Sequence, residues 1–169
     1  MHLIINNFTT CSSKNLYALF QDVYSTSEGM SERLEDKYLC LDDFEQEMAF
    51  IRSLPGSILL VAETGGRPIA YLIIRPRRPS RLKHTAELNI GVAQSARGQG
   101  VGGVILQAGL ERAFASTEIE IVYLKVRSDN IPAIRLYRRM GFETLAVLHR
   151  DVKIDGCYFD GLLMRKFVK

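Results

Sequence analysis

At 169 residues, 47% apolar and 24% charged, the chain has the composition of an ordinary globular protein and the length of one domain, residues 1–169, able to bury roughly 70% of its unfolded surface without staples. Cys11, Cys40 and Cys157 lack CxxC spacing and are expected to be ordinary buried residues, no apolar run approaches the roughly 18 residues of a membrane span, and no secretory leader is evident, so a cytoplasmic protein is expected. The net charge of +3 is unevenly spread: Arg75 to His84 carries five Lys/Arg and no acid, whereas Glu28 to Glu47 carries eight acids against Arg33 and Lys37.

His2 to Asn6 suits a short strand, and Ser12 and Ser13 then offer caps for a helix carrying Leu16, Leu19, Phe20 and Val23 at helical spacing. Leu41, Phe44, Met48, Ile51 and Leu54 recur at intervals of three and four up to Pro55-Gly56, which predicts a second amphipathic helix. Ser57 to Glu63 and Pro68 to Ile74 are β-rich runs joined by Thr64-Gly65-Gly66-Arg67, which reads as a hairpin. Pro76 and Pro79 make the basic stretch a loop, and Thr85 to Val92 returns to strand. Gly98 to Gly103 opens a third helix running through Ile105, Leu106, Leu110 and Phe114, followed by a strand over Ile119 to Val126. Asn130 and Pro132 start a fourth helix, which Gly141 ends. Thr144 to Ile154 and Cys157 to Phe167 flank Asp155-Gly156, a strong hairpin signal. Hairpins at both ends with strand-helix-strand units between them imply a mixed sheet covered by helices.

The most informative stretch joins a strand to a helix and runs from Val92 to Gly103. Glycines at a helix start let the backbone approach a ligand closely while unpaired amides point at it, so a phosphate or pyrophosphate is the natural guest; a tight turn chosen for packing is the plainer reading. Gly98, Gly100 and Gly103 satisfy the dinucleotide pattern G-x-G-x-x-G, with Glu118 in place of a ribose-binding acid. In that fold, however, the glycines follow the strand directly, whereas five residues separate Val92 from Gly98 here. A Walker loop lacks its Gly-Lys-Ser/Thr.

Arg97-Gly98-Gln99-Gly100-Val101-Gly102 resembles the R/Q-x-x-G-x-G/A pyrophosphate motif of the GNAT superfamily of acetyl-CoA-dependent N-acetyltransferases. Asn130, Ala133, Tyr137 and Gly141-Phe142 resemble a second motif, N-x-x-A-x-x-x-Y-x-x-x-G-F. The resemblance covers about residues 57 to 167, and the element order is also the family's. It implies an α/β (α+β) GNAT-like fold: a central mixed, mostly antiparallel sheet of about seven strands flanked by about four helices.

The resemblance further implies acetyl transfer from acetyl-CoA to a primary amine in a ternary complex, with no metal and no thiol nucleophile. Arg97 and the amides of Gly98, Gln99, Gly100, Val101, Gly102 and Gly103 would hold the pyrophosphate, and backbone groups of Ile90 and Val92 the pantetheine. Tyr137, against the cofactor's sulfur, would be the general acid, its ordinary pKa of about 10 lying near that of an alkyl thiol; a core tyrosine in the stripe Ile134, Tyr137, Met140 is the other reading. Glu87 would be the general base, acting through a water. Alternation places it with Asn89 on one face and Ala86, Leu88, Ile90 and Val92 on the other, and a salt bridge on an exposed face is its alternative. Asn130 would contact the cofactor, cap its helix, or both.

The acidic stretch would attract a cationic acceptor such as a polyamine, an aminoglycoside, another small amine or a peptide amine; a solvated helix face is the alternative. The tail from Asp155 to Asp160 resembles members that acetylate small amines. The loop from Arg75 to His84 lacks interleaved aromatics, so a solvated loop is favoured over contact with the adenosine 3′-phosphate, and neither nucleic acid nor membrane is expected as a partner. A homodimer is compatible with the resemblance. Two other readings stay open: a non-catalytic acyl-CoA-binding module, against which Tyr137 argues, and a dinucleotide-binding oxidoreductase, against which the strand-to-glycine gap argues.

Overall fold

Seven strands build one sheet: β1 (Ile4–Asn7), β2 (Ile58–Thr64), β3 (Arg67–Pro76), β4 (Thr85–Val92), β5 (Ile121–Arg127), β6 (Glu143–Ile154) and β7 (Cys157–Phe167). Their spatial order is β1-β2-β3-β4-β5-β7-β6, antiparallel throughout except where β4 meets β5. This computed structural model describes residues 3–27, 29–115 and 118–169; His2 of the expected first strand and Glu28 of the acidic stretch lie outside them. The helices are α1 (Ser13–Thr26), α2 (Leu34–Lys37), α3 (Leu41–Ser53), α4 (Val101–Ala115) and α5 (Ile131–Arg139).

Alternation along the strands sends side chains to two cores. Leu60, Ala62, Ala70, Leu72, Ile74, Ala86 and Leu88 pack with Ile105 and Leu106 of α4 and with Ile134 and Tyr137 of α5. On the opposite face Leu59, Val61, Tyr71 and Ile73 pack with Leu16, Leu19, Phe20 and Val23 of α1 and with Phe44, Met48 and Ile51 of α3. Both faces of β2 and β3 are therefore covered, which is why these strands read as continuous apolar runs. Phe20 stacks on Tyr71 at 3.8 Å between ring centroids, tying α1 to the sheet. At the far end, Asp155 and Gly156 both have positive φ, as a two-residue hairpin of that composition requires.

Several expectations are corrected. A fifth helix, the single turn α2, is closed by Asp36, whose carboxylate accepts from the Arg33 amide at 3.1 Å; its four residues are too few for a periodic signal. The third helix begins at Val101 rather than Gly98, because Gly98 and Gly100 adopt positive φ. Cys40 and Cys157 are exposed and Cys11 is half-buried, since the first precedes α3 and the second opens β7 at the hairpin. Arg75 belongs to β3, so the basic loop is shorter than its charge run.

Candidate active site

The sheet opens between its two central strands. β4 pairs with β5 at Thr85, Ala86 and Glu87, opposite Ile121, Val122 and Tyr123, and no further, although β3 stays paired with β4 as far as Val92. The Thr85 carbonyl, turned to the β3 side, accepts from Arg77 N at 2.9 Å, and Ala93 N donates to Ile69 O at 2.8 Å. Odd-numbered residues therefore spend their backbone groups on β3, and the even ones, Leu88, Ile90 and Val92, face the gap. An unpaired strand edge inside a sheet is an unfilled hydrogen-bonding ladder. Gly91 lets the strand run here, because a Cβ would overlap the buried ring of Tyr71 and lie 2.7 Å from Val23 Cγ1.

At the end of this open edge the chain makes a short 3-10 turn over Gln94–Ala96 and enters α4. Gly98 (φ +73°) and Gly100 (φ +80°) hold left-handed conformations, and a Cβ on either would meet nothing within 4 Å. The glycines are required by backbone conformation, and the space outside them is open. Within the helix start the first amides bonded to the chain are those of Gly103 and Val104, both to Gly100 O. The amides from Gly98 to Gly102 find no acceptor among the described residues, which makes a cradle of donors at a helix N-terminus. Arg97 does not extend into this cradle. Its Nε donates to Val92 O at 3.1 Å, and its two terminal nitrogens donate to Thr26 O and Thr26 Oγ1 at 2.8 Å each. With Asp22 Oδ2 accepting from Gln94 N at 3.0 Å, it ties the turn to the end of α1.

Tyr137 lies on the α4 and α5 side, edge-on to Phe142 at 5.9 Å between centroids. Burial pushes its phenol up to about 12, above the ordinary value taken from the sequence, and no acceptor for its hydroxyl exists among the described residues. Glu87 occupies the last paired position before the gap, on the α1 face as alternation required, and its exposed carboxylate accepts from Arg77 Nε at 3.2 Å. The salt-bridge alternative for Glu87 is thus realised, with the carboxylate still open to water. Asn130 caps α5 through Oδ1, accepting from Ala133 N at 3.3 Å, and its side chain lies against Gly29 of the loop between α1 and α2.

Sequence reasoning missed a cluster of polar groups on the α1 side of the gap. The hydroxyls of Tyr24 and Tyr71 and Oδ1 of Asn89 are buried without a well-formed hydrogen bond among the described residues, the two phenols interacting with each other and that of Tyr24 with Lys37. Burial raises both phenols, that of Tyr71 well above its ordinary value. Only Asn89, beside Glu87 on the same strand face, carried a signal; the tyrosines sit among core aromatics and look like them. Outward of this cluster lies a hollow of about 660 Å³ lined by Glu32, Asp36, Lys37, Tyr38, Asp43, Gln46, Glu47 and Phe50. Glu32 pairs with Lys37 at 3.1 Å and Glu47 with Arg75 at 3.0 Å, so the acidic stretch is partly neutralised from within.

Comparison with known proteins agrees with this geometry. Residues 14–142 match the family model described as the Acetyltransferase (GNAT) family. The chain is 34% identical over 104 residues to an N-alpha-acetyltransferase of Sulfurisphaera tokodaii, a match covering 57% of this chain and 62% of that protein. It is 32% identical over 140 residues to the N-alpha-acetyltransferase RimI of Mycobacterium tuberculosis, covering 79% and 82% of the two chains. Among solved structures, a GNAT-family acetyltransferase from Streptococcus pneumoniae superposes with a TM-score of 0.89 at 23% identity, over 99% of this chain and 100% of that one. The chain with the parted β4 and β5 strands and the amide cradle belongs to the GNAT family of acetyltransferases, which draw their acetyl group from acetyl-CoA.

Proposed function

We propose that this protein acetylates the primary amine of a cationic acceptor by direct attack on the thioester of acetyl-CoA. The observation that carries the proposal is the continuity of the open β4 edge with the free amides of Gly98 to Gly102. A chain of amides in the pantetheine would complete the ladder left by Ile90 and by the amide of Val92, whose carbonyl already accepts from Arg97, and the cradle would take the pyrophosphate. Because Arg97 is spent on Val92 and Thr26, its part is to hold the turn in shape.

The amine adds to the thioester carbonyl carbon, the tetrahedral intermediate collapses with rupture of the C–S bond, the leaving thiolate takes a proton from Tyr137, and the proton shed by the newly acylated nitrogen restores the phenol through solvent. A phenol pushed up to about 12 stays protonated at any working pH, as an acid must. Its mismatch with a thiol is smaller than it looks, since a thiolate formed in the same buried space is raised by the same loss of solvation. Glu87, exposed at the mouth of the gap, takes the ammonium proton of the acceptor through water. The excess of carboxylates around the hollow beside Tyr38 supports a cationic acceptor, and the curated relatives named N-alpha-acetyltransferases favour an α-amine among such groups.

The test is release of free CoA thiol from acetyl-CoA across peptides with free N-termini, amino acids, polyamines and aminoglycosides. Release with a cationic amine is expected. Release confined to neutral or anionic acceptors would reject the cationic assignment.

A further inference from the structure

The outer face of α5 carries Arg135, Arg138 and Arg139, which with Pro132 line a hollow of about 460 Å³. Among the described residues none of the three guanidiniums has an ion pair or hydrogen bond. The helix itself holds no acid, and the acids flanking it in the chain are engaged elsewhere, Asp129 with Arg127 and Glu143 with Arg165. Arg138 and Arg139 complement the helix dipole in the last turn, but Arg135 does not, and it faces both at spacings of three and four, where like charges repel. Three unpaired guanidiniums around one hollow form a site for an anion rather than a stable surface in their own right.

The position of the hollow identifies the anion. α5 is seated on the first turn of α4: a Cβ at Gly102 would lie 3.4 Å from Leu136 Cδ2, and one at Gly103 would lie 3.7 Å from both Leu136 Cδ1 and Met140 Cε. Arg135 and Arg139 immediately precede those two residues, so the hollow lies on the face of α5 next to the one that packs on the first turn of α4. Of the basic run, expected to be solvated, three arginines are engaged elsewhere and Arg81 is left as the competing guanidinium. Arg75 pairs with Glu47, Arg77 with Glu87, and Arg78 lies over the Phe50 ring.

We propose that Arg135, Arg138 and Arg139 bind the 3′-phosphate of the cofactor's ribose, making the protein selective for CoA over its 3′-dephosphorylated form. The proposal rests on the cradle's holding the pyrophosphate, to which the same ribose is attached.

The experiment is calorimetric titration of the whole chain with CoA and with 3′-dephospho-CoA, which requires no acceptor. At low salt the wild type is expected to bind CoA at least about 10-fold more tightly, roughly 1.4 kcal/mol, with the ratio shrinking as salt is raised. Arg135→Gln/Arg138→Gln/Arg139→Gln, which preserves helix propensity, should bring the ratio to within about twofold by weakening CoA alone. Equal binding of both ligands by the wild type, or a ratio that survives in the variant, would overturn the proposal. Loss of the ratio in Arg78→Gln/Arg81→Gln instead would move the phosphate to the basic loop and overturn it as well. Binding of neither ligand would reject the cradle reading beneath it.

Discussion

Replacing Gly100 and Gly65 separately by alanine separates what the cradle does for a ligand from what it does for the fold. Both glycines have positive φ, +80° and +55°, and at both a Cβ would meet nothing within 4 Å. The cost of substitution is therefore backbone strain alone, about 1–2 kcal/mol for a residue with a Cβ in the left-handed region. For a chain of this size each kcal/mol lowers the melting temperature by about 2–4 °C, so both variants should melt a few degrees low, and similarly. Their ligand binding should differ sharply. Gly65 turns the β2–β3 hairpin, on the side of β4 away from the gap, whereas relaxation of Gly100 turns amides of the cradle away from the pyrophosphate. Loss of one hydrogen bond to a charged group is worth about 1.5–3 kcal/mol, so CoA affinity measured by titration calorimetry should fall by at least 10-fold in Gly100→Ala and remain unchanged in Gly65→Ala. Equal CoA affinity in the two variants would refute the assignment of these amides to the phosphates.

Gly91→Ala forces a methyl group into the Tyr71 ring, which Phe20 holds from the other side, and should cost about 3 kcal/mol by overpacking, read as a drop of about 6–12 °C in melting temperature. The raised phenols of Tyr24, Tyr38, Tyr71 and Tyr137 contribute stability that is fully present below about pH 10 and is lost as pH rises toward 12, because the unfolded chain ionises first; Tyr137 alone accounts for about 3 kcal/mol of that loss. Chemical denaturation at stepped pH checks this, and a flat profile to pH 12 would contradict it. Glu87→Gln should lower kcat near neutral pH by about 10²-fold, while loss of its exposed pair with Arg77 changes stability by less than about 1 kcal/mol; normal turnover would remove Glu87 from the mechanism.

Local rules carried the architecture a long way. Asp155-Gly156 demanded a hairpin and adopts one, the spacing of Leu16, Leu19, Phe20 and Val23 marked the buried face of α1, and alternation put Glu87 and Asn89 on the face where they lie. The glycine turn and the Asn130 cap were legible because special backbone conformations restrict residue choice. What stayed hidden depends on contacts distant in the chain. Nothing local in Arg97 says that Thr26 holds its guanidinium, nothing in Tyr137 says that burial lifts its phenol, and nothing in Tyr71 separates a core aromatic from one whose hydroxyl, beside the gap, lacks a well-formed hydrogen bond. The acidic stretch misled in degree, because its neutralisation by Lys37 and Arg75 emerges only when α2, α3 and β3 come together.

The central claim, that Tyr137 hands a proton to the departing thiolate, is tested most directly by comparing wild type and Tyr137→Phe in CoA-thiol release with whichever amine the panel identifies. The account predicts a fall in kcat of about 10²-fold or more, with CoA affinity within a few-fold of wild type. Turnover by Tyr137→Phe at the wild-type rate would contradict it and leave the tyrosine a core residue.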